Sequence, residues 1–217
     1  MISVTRRLTL AEERRLPGRG YRLIAGIDEV GRGALAGPVV AAAVVLPRGL
    51  RAPWLAQVRD SKELTPAQRE RLSALILEAT AAVGIGWVPA EAIDAQGIVP
   101  ATRLAMARAV EQVSPSPDFL LIDALKLPAL SQPQLSLVRG DKLCPSISCA
   151  SIVAKVARDR LMREMDGLYP GYGFGRNKGY GTGFHLSSLL EQGACPIHRR
   201  SFAPVALSPN GGKPQWR

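Results

Sequence analysis

Four acidic side chains lie at or near the ends of segments that the sequence pattern predicts to be β-strands. They are Asp28 with the adjacent Glu29, then Asp123 and Asp141. Open α/β sheets collect functional side chains at strand ends. If the three strands are neighbours, the four carboxylates converge, and each raises the pKa of the others. The alternative for any one of these acids taken alone is a turn residue with no chemical role.

Divalent cations would remove the repulsion within such a group of acids. Mg²⁺ prefers hard oxygen ligands and usually keeps several of its waters. Two such ions about 4 Å apart can activate a water molecule and stabilise the leaving oxygen of a phosphodiester. The four acids therefore favour metal-dependent phosphodiester chemistry.

The charge of the chain points to a polyanionic partner. Its 217 residues include 28 Lys and Arg against 18 Asp and Glu, a net charge of +10, and the pI is near 10.2. So basic a balance indicates nucleic acid, and the alternative is a basic, solvated enzyme surface. The most apolar run, PVVAAAVVLP, is far shorter than the roughly 20 residues of a membrane span. We expect no membrane contact, recognise no secretion signal, and predict a cytoplasmic location.

A glycine–arginine–glycine turn follows the first two acids. Residues 31–36, GRGALA, match the G-x-G-x-x-A pattern of dinucleotide-binding folds. That pattern must begin a helix, whereas a β-rich segment follows here, so a dinucleotide cofactor is disfavoured. Gly31 and Gly33 more readily allow the backbone to approach a ligand, and Arg32 can reach a phosphate. A backbone so close to a sugar could sense the 2′-hydroxyl that distinguishes RNA from DNA.

Two further segments carry side chains suited to contact with phosphates or sugars. Ser61 and Lys62 lie in a loop ahead of a capped helix, a place that suits phosphate contact. The segment YGFGRNKGYGTGFH (172–185) interleaves basic residues with aromatic ones, among them Tyr180. This mixture is typical of a surface that follows a nucleic-acid backbone. The alternative is a flexible turn whose aromatic rings belong to the core.

The segment CPIH places Cys195 and His198 at a spacing that zinc ligands use. A tetrahedral site would also need Cys144 and Cys149. With only two histidines and no second close pair of ligands, reduced thiols are favoured over zinc. The pair Arg199–Arg200 that follows is interpreted as a solvated patch.

The remaining pattern predicts an α/β fold with one substantial core. Strands are predicted at 21–28, 38–46, 81–89, 118–125 and 134–142. Helices are predicted after a capping box at Thr65 and Gln68, and at 97–113, 146–168 and 184–192. This order indicates a mixed sheet with a helical C-terminal part. We expect a basic N-terminal lead-in at 1–20, a catalytic domain at 21–205 and a disordered tail at 206–217.

Six blocks spread over residues 22–205 resemble bacterial ribonuclease HII. They are AGIDEVGRGALAGPVVAAAVVL, DSKEL, LLIDAL, GDK followed by SISCASIVAKVARDR, YGFGRNKGYGT and HRRSFAPV. The resemblance implies an RNase H-like fold, with a central five-stranded mixed sheet flanked by helices and a C-terminal helical extension. It implies an endonuclease that cleaves the RNA strand of RNA–DNA hybrids and nicks duplex DNA on the 5′ side of single ribonucleotides. The products would carry 3′-hydroxyl and 5′-phosphate ends.

The resemblance also implies roles for individual residues. The catalytic acids, which would also hold two divalent ions, Mg²⁺ or Mn²⁺, are Asp28, Glu29, Asp123 and Asp141. The turn Gly31–Arg32–Gly33 would recognise the ribonucleotide, and Tyr180 would stack on the following deoxyribose. Asp159 competes for the place of the fourth acid. Asp141 is preferred because it is predicted at a strand end, whereas arginines flank Asp159 and favour an ion-paired helix residue.

Three positions depart from the family pattern, namely Ala124, Cys149 and Asn177, and none of them removes a catalytic group. The expected partners of a monomeric enzyme are RNA–DNA hybrids and ribonucleotide-containing duplex DNA. One rival is a ribonuclease of the related HIII type, restricted to longer hybrids, which the shorter chain disfavours. The other rival is a catalytically silent hybrid-binding protein, which the intact set of acids disfavours.

Overall fold

The computed structural model describes residues 11–58 and 61–209, and a five-stranded sheet forms its centre. The strands are β1 (Ile24–Val30), β2 (Val39–Val45), β3 (Ala82–Val88), β4 (Phe119–Asp123) and β5 (Gln134–Leu137). Their order in the sheet is β3-β2-β1-β4-β5. The pairs β1–β2 and β2–β3 are antiparallel, while β1–β4 and β4–β5 are parallel. The α/β class and the five-stranded mixed sheet expected from the sequence are thus confirmed.

Helices cover both faces of this sheet. They are α1 (Ala11–Arg15), α2 (Pro66–Ala79), α3 (Ala90–Gln96), α4 (Ile98–Glu111), α5 (Pro145–Leu168), α6 (Phe174–Asn177), α7 (Gly183–Gln192) and α8 (Ala203–Ala206). One core cluster fills the space between the sheet and α4, and a second joins the opposite face to α5 and α2. Strand β2 is buried along its whole length because it lies under helices on both faces.

Helix α5 runs alongside β1 in the same direction. Its first turn, at Ser146, lies against Gly26 in the middle of β1, and Arg158, three turns later, lies against Gly31 just beyond the end of the strand. The helix therefore carries the polar side chains of its middle turns to the end of β1, where the first two acids lie.

The predicted elements differ from the observed ones in several places. The last strand was expected to reach residue 142, but β5 ends at Leu137 and a 3₁₀ turn forms at Gly140–Lys142. The chain leaves the sheet because Arg139 adopts a left-handed conformation, with φ of 59°. Helix α3, and helix α6 inside the glycine- and tyrosine-rich segment, were not expected. The capping box that joins Thr65 to Gln68 is confirmed at the start of α2.

The described residues of the expected N-terminal lead-in, 11–20, pack against the rest of the fold. Residues 11–19 are helical, and Leu16 is fully buried in a cluster with Ile24 and Phe119. Residues 1–10, 59–60 and 210–217 lie outside the described part, so the expected domain boundaries and disordered tail stay predictions. No helix within the described residues is long and apolar enough to cross a membrane.

Candidate active site

A cleft of about 570 Å³ opens at the end of β1, and we call it the acidic cleft. Its lining includes every residue that the sequence singled out for the site, namely Asp28, Glu29, Gly31, Arg32, Gly33, Ser61, Lys62, Asp123, Asp141 and Tyr180. The cleft is also lined by Val30, Ser151 and Lys155. The sheet explains part of this gathering. Parallel β1 and β4 pair Ile27 with Ile122, so Asp28 and Asp123 follow at the same level of neighbouring strands.

Asp28 lies deepest among the acids, with 6% of its surface exposed. One carboxylate oxygen, Oδ1, accepts a 2.7 Å hydrogen bond from the backbone N–H of Glu29. The side chain also has a hydrogen bond with Ser151, whose Oγ lies 3.0 Å from the Oγ of Ser61. Burial raises the pKa of Asp28 well above its usual value, and the charges of Glu29 and Asp123 raise it further.

Glu29 has one partnered and one unpartnered carboxylate oxygen. Its Oε1 accepts a 3.2 Å hydrogen bond from Nη1 of Arg32, a side chain that is 40% exposed. Its Oε2 is buried and has no hydrogen-bond partner in the described part of the chain. Burial raises the pKa of Glu29, Arg32 opposes that rise, and the charge of Asp123 adds to it. A buried, unpartnered carboxylate oxygen is costly, so this atom points to a ligand.

The 3₁₀ turn after β5 brings Asp141 to the cleft and at the same time fixes Asp123. The N–H of Gly140 donates a 2.7 Å hydrogen bond to Oδ1 of Asp123, and the N–H of Asp141 also donates to that side chain. Burial raises the pKa of Asp123, while these hydrogen bonds and the charge of Lys62 oppose the rise. The expectation that Asp141 ends a strand was wrong, yet the turn still brings it to the cleft.

Asp159, the competitor for the fourth acid, does not line the cleft. Its Oδ1 lies 2.6 Å from Nζ of Lys155, and its Oδ2 lies 3.9 Å from Nη2 of Arg69. The expected ion pairing is therefore present, although its partners are a lysine one turn earlier and an arginine of α2. The sequence had instead suggested that the two arginines flanking Asp159 would be its ion-pair partners. The geometry favours Asp141 over Asp159 as a member of the acidic group.

The turn Gly31–Arg32–Gly33, which we call the GRG turn, forms one wall of the cleft. Gly31 has a φ of +92°, and a Cβ on it would lie 2.2 Å from Nε of Arg158. This position requires glycine for the fold itself. Gly33 is different, because a Cβ there would meet no atom within 4 Å. The open space beside Gly33 is available to a ligand.

Two fully buried arginines hold the GRG turn and the segment that follows it. Arg158 donates to three carbonyl oxygens, those of Ala36, Pro38 and Lys178, at 2.8–3.0 Å. Arg199 donates to the carbonyl of Gly37 at 3.0 Å and to that of Arg32 at 2.8 Å. The interpretation of Arg199 as part of a solvated patch was wrong, because it binds carbonyls from residues far away in sequence.

The glycine- and tyrosine-rich segment divides its aromatic rings between core and cleft. Tyr172 and Phe174 are buried and stack on each other, with ring centroids 5.3 Å apart. Tyr180 lines the cleft, and the guanidinium of Arg158 lies 5.5 Å from its ring centroid. The core interpretation is therefore confirmed for Tyr172 and Phe174, while contact of Tyr180 with nucleic acid stays a prediction.

Comparison with known proteins agrees with this architecture. A family model described as Ribonuclease HII matches residues 25–205, most of the chain. The chain belongs to the ribonuclease HII family. It is 55% identical over 195 residues to a ribonuclease HII of Dehalococcoides mccartyi, strain BAV1, a match that covers 90% of this chain and 92% of the relative.

Solved structures show the same fold as this ribonuclease HII family member. The ribonuclease H2 of Pyrococcus horikoshii OT3 superposes with a TM-score of 0.70 at 24% identity, covering 84% of this chain and 95% of that one. Bst-RNase HIII, in a complex with Mn²⁺, superposes with a TM-score of 0.59 at 21% identity, covering 85% and 68%. At these identities the likeness supports the fold and nothing finer.

The acidic cleft fits a hard divalent cation in its donor chemistry and its charge. Its acids offer only oxygen ligands, one buried oxygen of Glu29 lacks a partner, and three carboxyl groups have raised pKa values. Within residues 11–58 and 61–209, no three acidic, histidine or cysteine side chains converge tightly enough to form a finished metal site. The three cysteines lie in three separate core clusters, so they do not form the tetrahedral set considered for zinc.

Sequence reasoning gave no role to several residues that shape this ribonuclease HII site. Ser151, Lys155 and Arg158 belong to a block quoted only for its resemblance, and Arg199 and His185 were assigned no part in the site. A signal for the first three was present, because polar residues at positions i, i+4 and i+7 mark one face of a largely apolar stretch, residues 149–158. No local signal marked Arg199, whose partners are set by tertiary structure.

Proposed function

We propose that this ribonuclease, which cleaves the RNA strand of RNA–DNA hybrids, also nicks duplex DNA on the 5′ side of a single embedded ribonucleotide. The products would carry 3′-hydroxyl and 5′-phosphate ends. The observation that carries the proposal is that the four acids share one cleft with the GRG turn. An acid group of this kind suits phosphodiester hydrolysis, and an open backbone beside it suits the detection of a sugar hydroxyl.

Enzymes of this family depend on divalent metal ions, and we propose that two ions, Mg²⁺ or Mn²⁺, bind here. Their ligands would be Asp28, Glu29, Asp123 and Asp141. When bound, the ions supply the activation of the attacking water and the stabilisation of the departing 3′ oxygen. The choice of metal rests on the oxygen-only donor set of these four acids in the cleft. Within the chain, hydrogen bonds from Glu29 N–H and Ser151 orient Asp28, and that from Gly140 N–H orients Asp123.

Substrate recognition is proposed for the residues that surround the acids. The open side of Gly33 leaves room for a ribose, so the GRG turn would sense its 2′-hydroxyl through the backbone. Arg32 and Lys62, together with Ser61, would contact phosphates of the cleaved strand. The ring of Tyr180 would stack on the deoxyribose that follows the ribonucleotide. A monomeric state and a cytoplasmic location stay predictions.

The test is the cleavage of a DNA duplex that contains one ribonucleotide, end-labelled and incubated with Mg²⁺, with Mn²⁺ or with a chelator. We expect a single nick on the 5′ side of the ribonucleotide with metal and none with the chelator. A ligase-competent 3′-hydroxyl and 5′-phosphate would identify the ends. No nick with either metal, or a nick on the 3′ side, would overturn the proposal.

The Asp28→Asn variant separates an enzyme from a silent hybrid-binding protein. We expect it to lose at least about a hundredfold in kcat, because it removes a charge from the acidic group. It should still bind the hybrid, since the basic residues around the cleft are unchanged. A silent binder would have no activity for this substitution to remove.

A further inference from the structure

A pair of buried histidines behind the acidic cleft has no part in the proposed chemistry. His185, on α7, and His198 face each other with their Nε2 atoms 3.0 Å apart. Nδ1 of His198 lies 3.0 Å from the backbone nitrogen of Cys195. On the other side, Nδ1 of His185 lies 2.9 Å from the carbonyl oxygen of Tyr180, whose ring lines the cleft. The two imidazoles therefore link the segment at Cys195 to the backbone of Tyr180.

The hydrogen bonds of this chain fix the proton positions. A backbone N–H can only donate, so Nδ1 of His198 must accept from Cys195 and the neutral ring carries its proton on Nε2. That proton is donated to Nε2 of His185, which leaves the proton of His185 on Nδ1, directed at the carbonyl of Tyr180. One consistent arrangement of neutral tautomers satisfies all four ring nitrogens. Protonation of either ring would place two N–H groups face to face.

The surroundings keep both rings neutral and rigid. Both histidines are almost completely buried. The ring of Tyr172 lies 4.8 Å from that of His198, and the ring of Phe174 lies 5.4 Å from that of His185, both as centroid distances. Burial lowers the pKa of both histidines, to about 4 for His198. The pair therefore forms a fixed support at neutral pH.

We propose that the His185–His198 pair positions Tyr180, and through it sets the preference for a deoxyribose after the cleaved ribonucleotide. The proposal rests on the role proposed above for Tyr180. The histidines hold the backbone of Tyr180 from behind, while Arg158 lies against its ring. Neither histidine lines the cleft, so both act through Tyr180 and neither touches the substrate.

The test compares two substitutions that each keep half of the contacts of His185. His185→Asn places an amide where Nδ1 was, so it keeps a donor for the carbonyl of Tyr180 and loses His198. His185→Gln places its amide near the position of Nε2, so it keeps the contact with His198 and loses Tyr180. His185→Ala loses both. Ser188→Ala is a matched control, because Ser188 is buried on the same helix and donates only to Phe184 one turn earlier.

The measured quantity is kcat/KM on two substrates, a duplex with one ribonucleotide and a continuous RNA–DNA hybrid. The ratio of interest is kcat/KM on the single-ribonucleotide duplex divided by kcat/KM on the continuous hybrid. We expect His185→Ala and His185→Gln to lower this ratio by about tenfold, because a misplaced contact residue slows cleavage only of the substrate that uses the contact. Ser188→Ala should stay within about threefold of the unmodified protein, and His185→Asn, which keeps the donor to Tyr180 but loses its support from His198, should lose less than His185→Gln. Thermal unfolding of each variant shows that it is folded. An unchanged ratio in His185→Gln, or a loss confined to His185→Asn, would overturn the proposal.

Tyr180→Ala separates a failure of this inference from a failure of the proposed function. If Tyr180→Ala lowers the ratio and the histidine variants do not, the positioning role is wrong while the role of Tyr180 stands. If Tyr180→Ala leaves the ratio unchanged, the proposed role of Tyr180 is wrong and this inference falls with it. When both hold, His185→Ala should cause no further loss of the ratio in the Tyr180→Ala background.

Discussion

Two sets of interactions act in opposite directions on the ionisation of the Asp28 carboxyl group when no cation is bound. Its burial and the charges of Glu29 and Asp123 disfavour the ionised form, while the backbone N–H of Glu29 and the side chain of Ser151 donate hydrogen bonds that favour it. A carboxylate in this position is held in a fixed orientation beside two like charges, and no ion pair within residues 11–58 and 61–209 gives it a counter-charge. A divalent ion bound in the cleft would supply that charge, as the proposed chemistry requires.

Asp141 and Asp159 can be distinguished by one pair of substitutions. Asp141→Asn should lower kcat on an RNA–DNA hybrid by about a hundredfold or more, because it removes a proposed metal ligand from the cleft. Asp159→Asn should cost less than about tenfold, because Asp159 does not line the cleft and the substitution only weakens its ion pair with Lys155. Single-turnover cleavage rates at saturating Mg²⁺ give both values. The reverse order would make Asp159 the fourth acid.

The elements of the fold could be predicted from sequence wherever a local rule determines them. The β-branched run of β2 and the capping box of α2 are examples, and the first three acids were placed because they end apolar runs. The end of β5 was missed because the left-handed conformation of Arg139 and the bond from Gly140 to Asp123 depend on the tertiary fold. The burial of Arg199 could not be predicted for the same kind of reason, since its carbonyl partners are more than 160 residues away.

Helix α5 can position Ser151 and Arg158 only if it approaches β1 closely. A Cβ at Gly26 would lie 2.3 Å from the backbone of Ser146, so Gly26→Ala should lower the free energy of unfolding by about 1–3 kcal/mol or more. A Cβ at Gly167, near the exposed end of the same helix, would meet no atom within 4 Å. Gly167→Ala should therefore leave the free energy of unfolding unchanged or raise it by up to about 1 kcal/mol. Urea unfolding measures both. Equal effects would contradict this account of the packing.

The histidine pair predicts how acid affects the C-terminal part of the fold. The pKa of His198 is about 4 in the folded protein, against an ordinary value of 6.5, so only the unfolded chain binds the proton between these values. Stability should therefore be fully present above pH 6.5 and fall as the pH drops toward 4. His198→Asn keeps an acceptor for Cys195 N–H but does not titrate. Between pH 7 and pH 4.5, the free energy of unfolding measured with urea should fall in both proteins, and the fall should be smaller by about 1–3 kcal/mol in this variant. Parallel curves for the two proteins would contradict the prediction.

The whole molecule carries a net charge of +10 around a cleft lined by four acids. The positive surface attracts the polyanion, and the acids are suited to bind the metal that meets it. Binding through phosphate contacts should weaken steeply with salt, by about tenfold or more in Kd between 50 and 200 mM NaCl. Fluorescence anisotropy with a labelled hybrid and the Asp28→Asn variant measures this without cleavage. A Kd independent of salt would contradict a predominantly electrostatic encounter.

Binding of Mn²⁺ tests the proposed shared cation site most directly, because it requires no catalysis. Electron paramagnetic resonance reports free Mn²⁺ in the presence of the unmodified protein, Asp28→Asn, Asp123→Asn and, as the matched control, Asp159→Asn. We predict that the first two substitutions weaken Mn²⁺ binding by about tenfold or more, while Asp159→Asn binds as the unmodified protein does. Unchanged binding in both Asp28→Asn and Asp123→Asn would show that these acids do not share a cation.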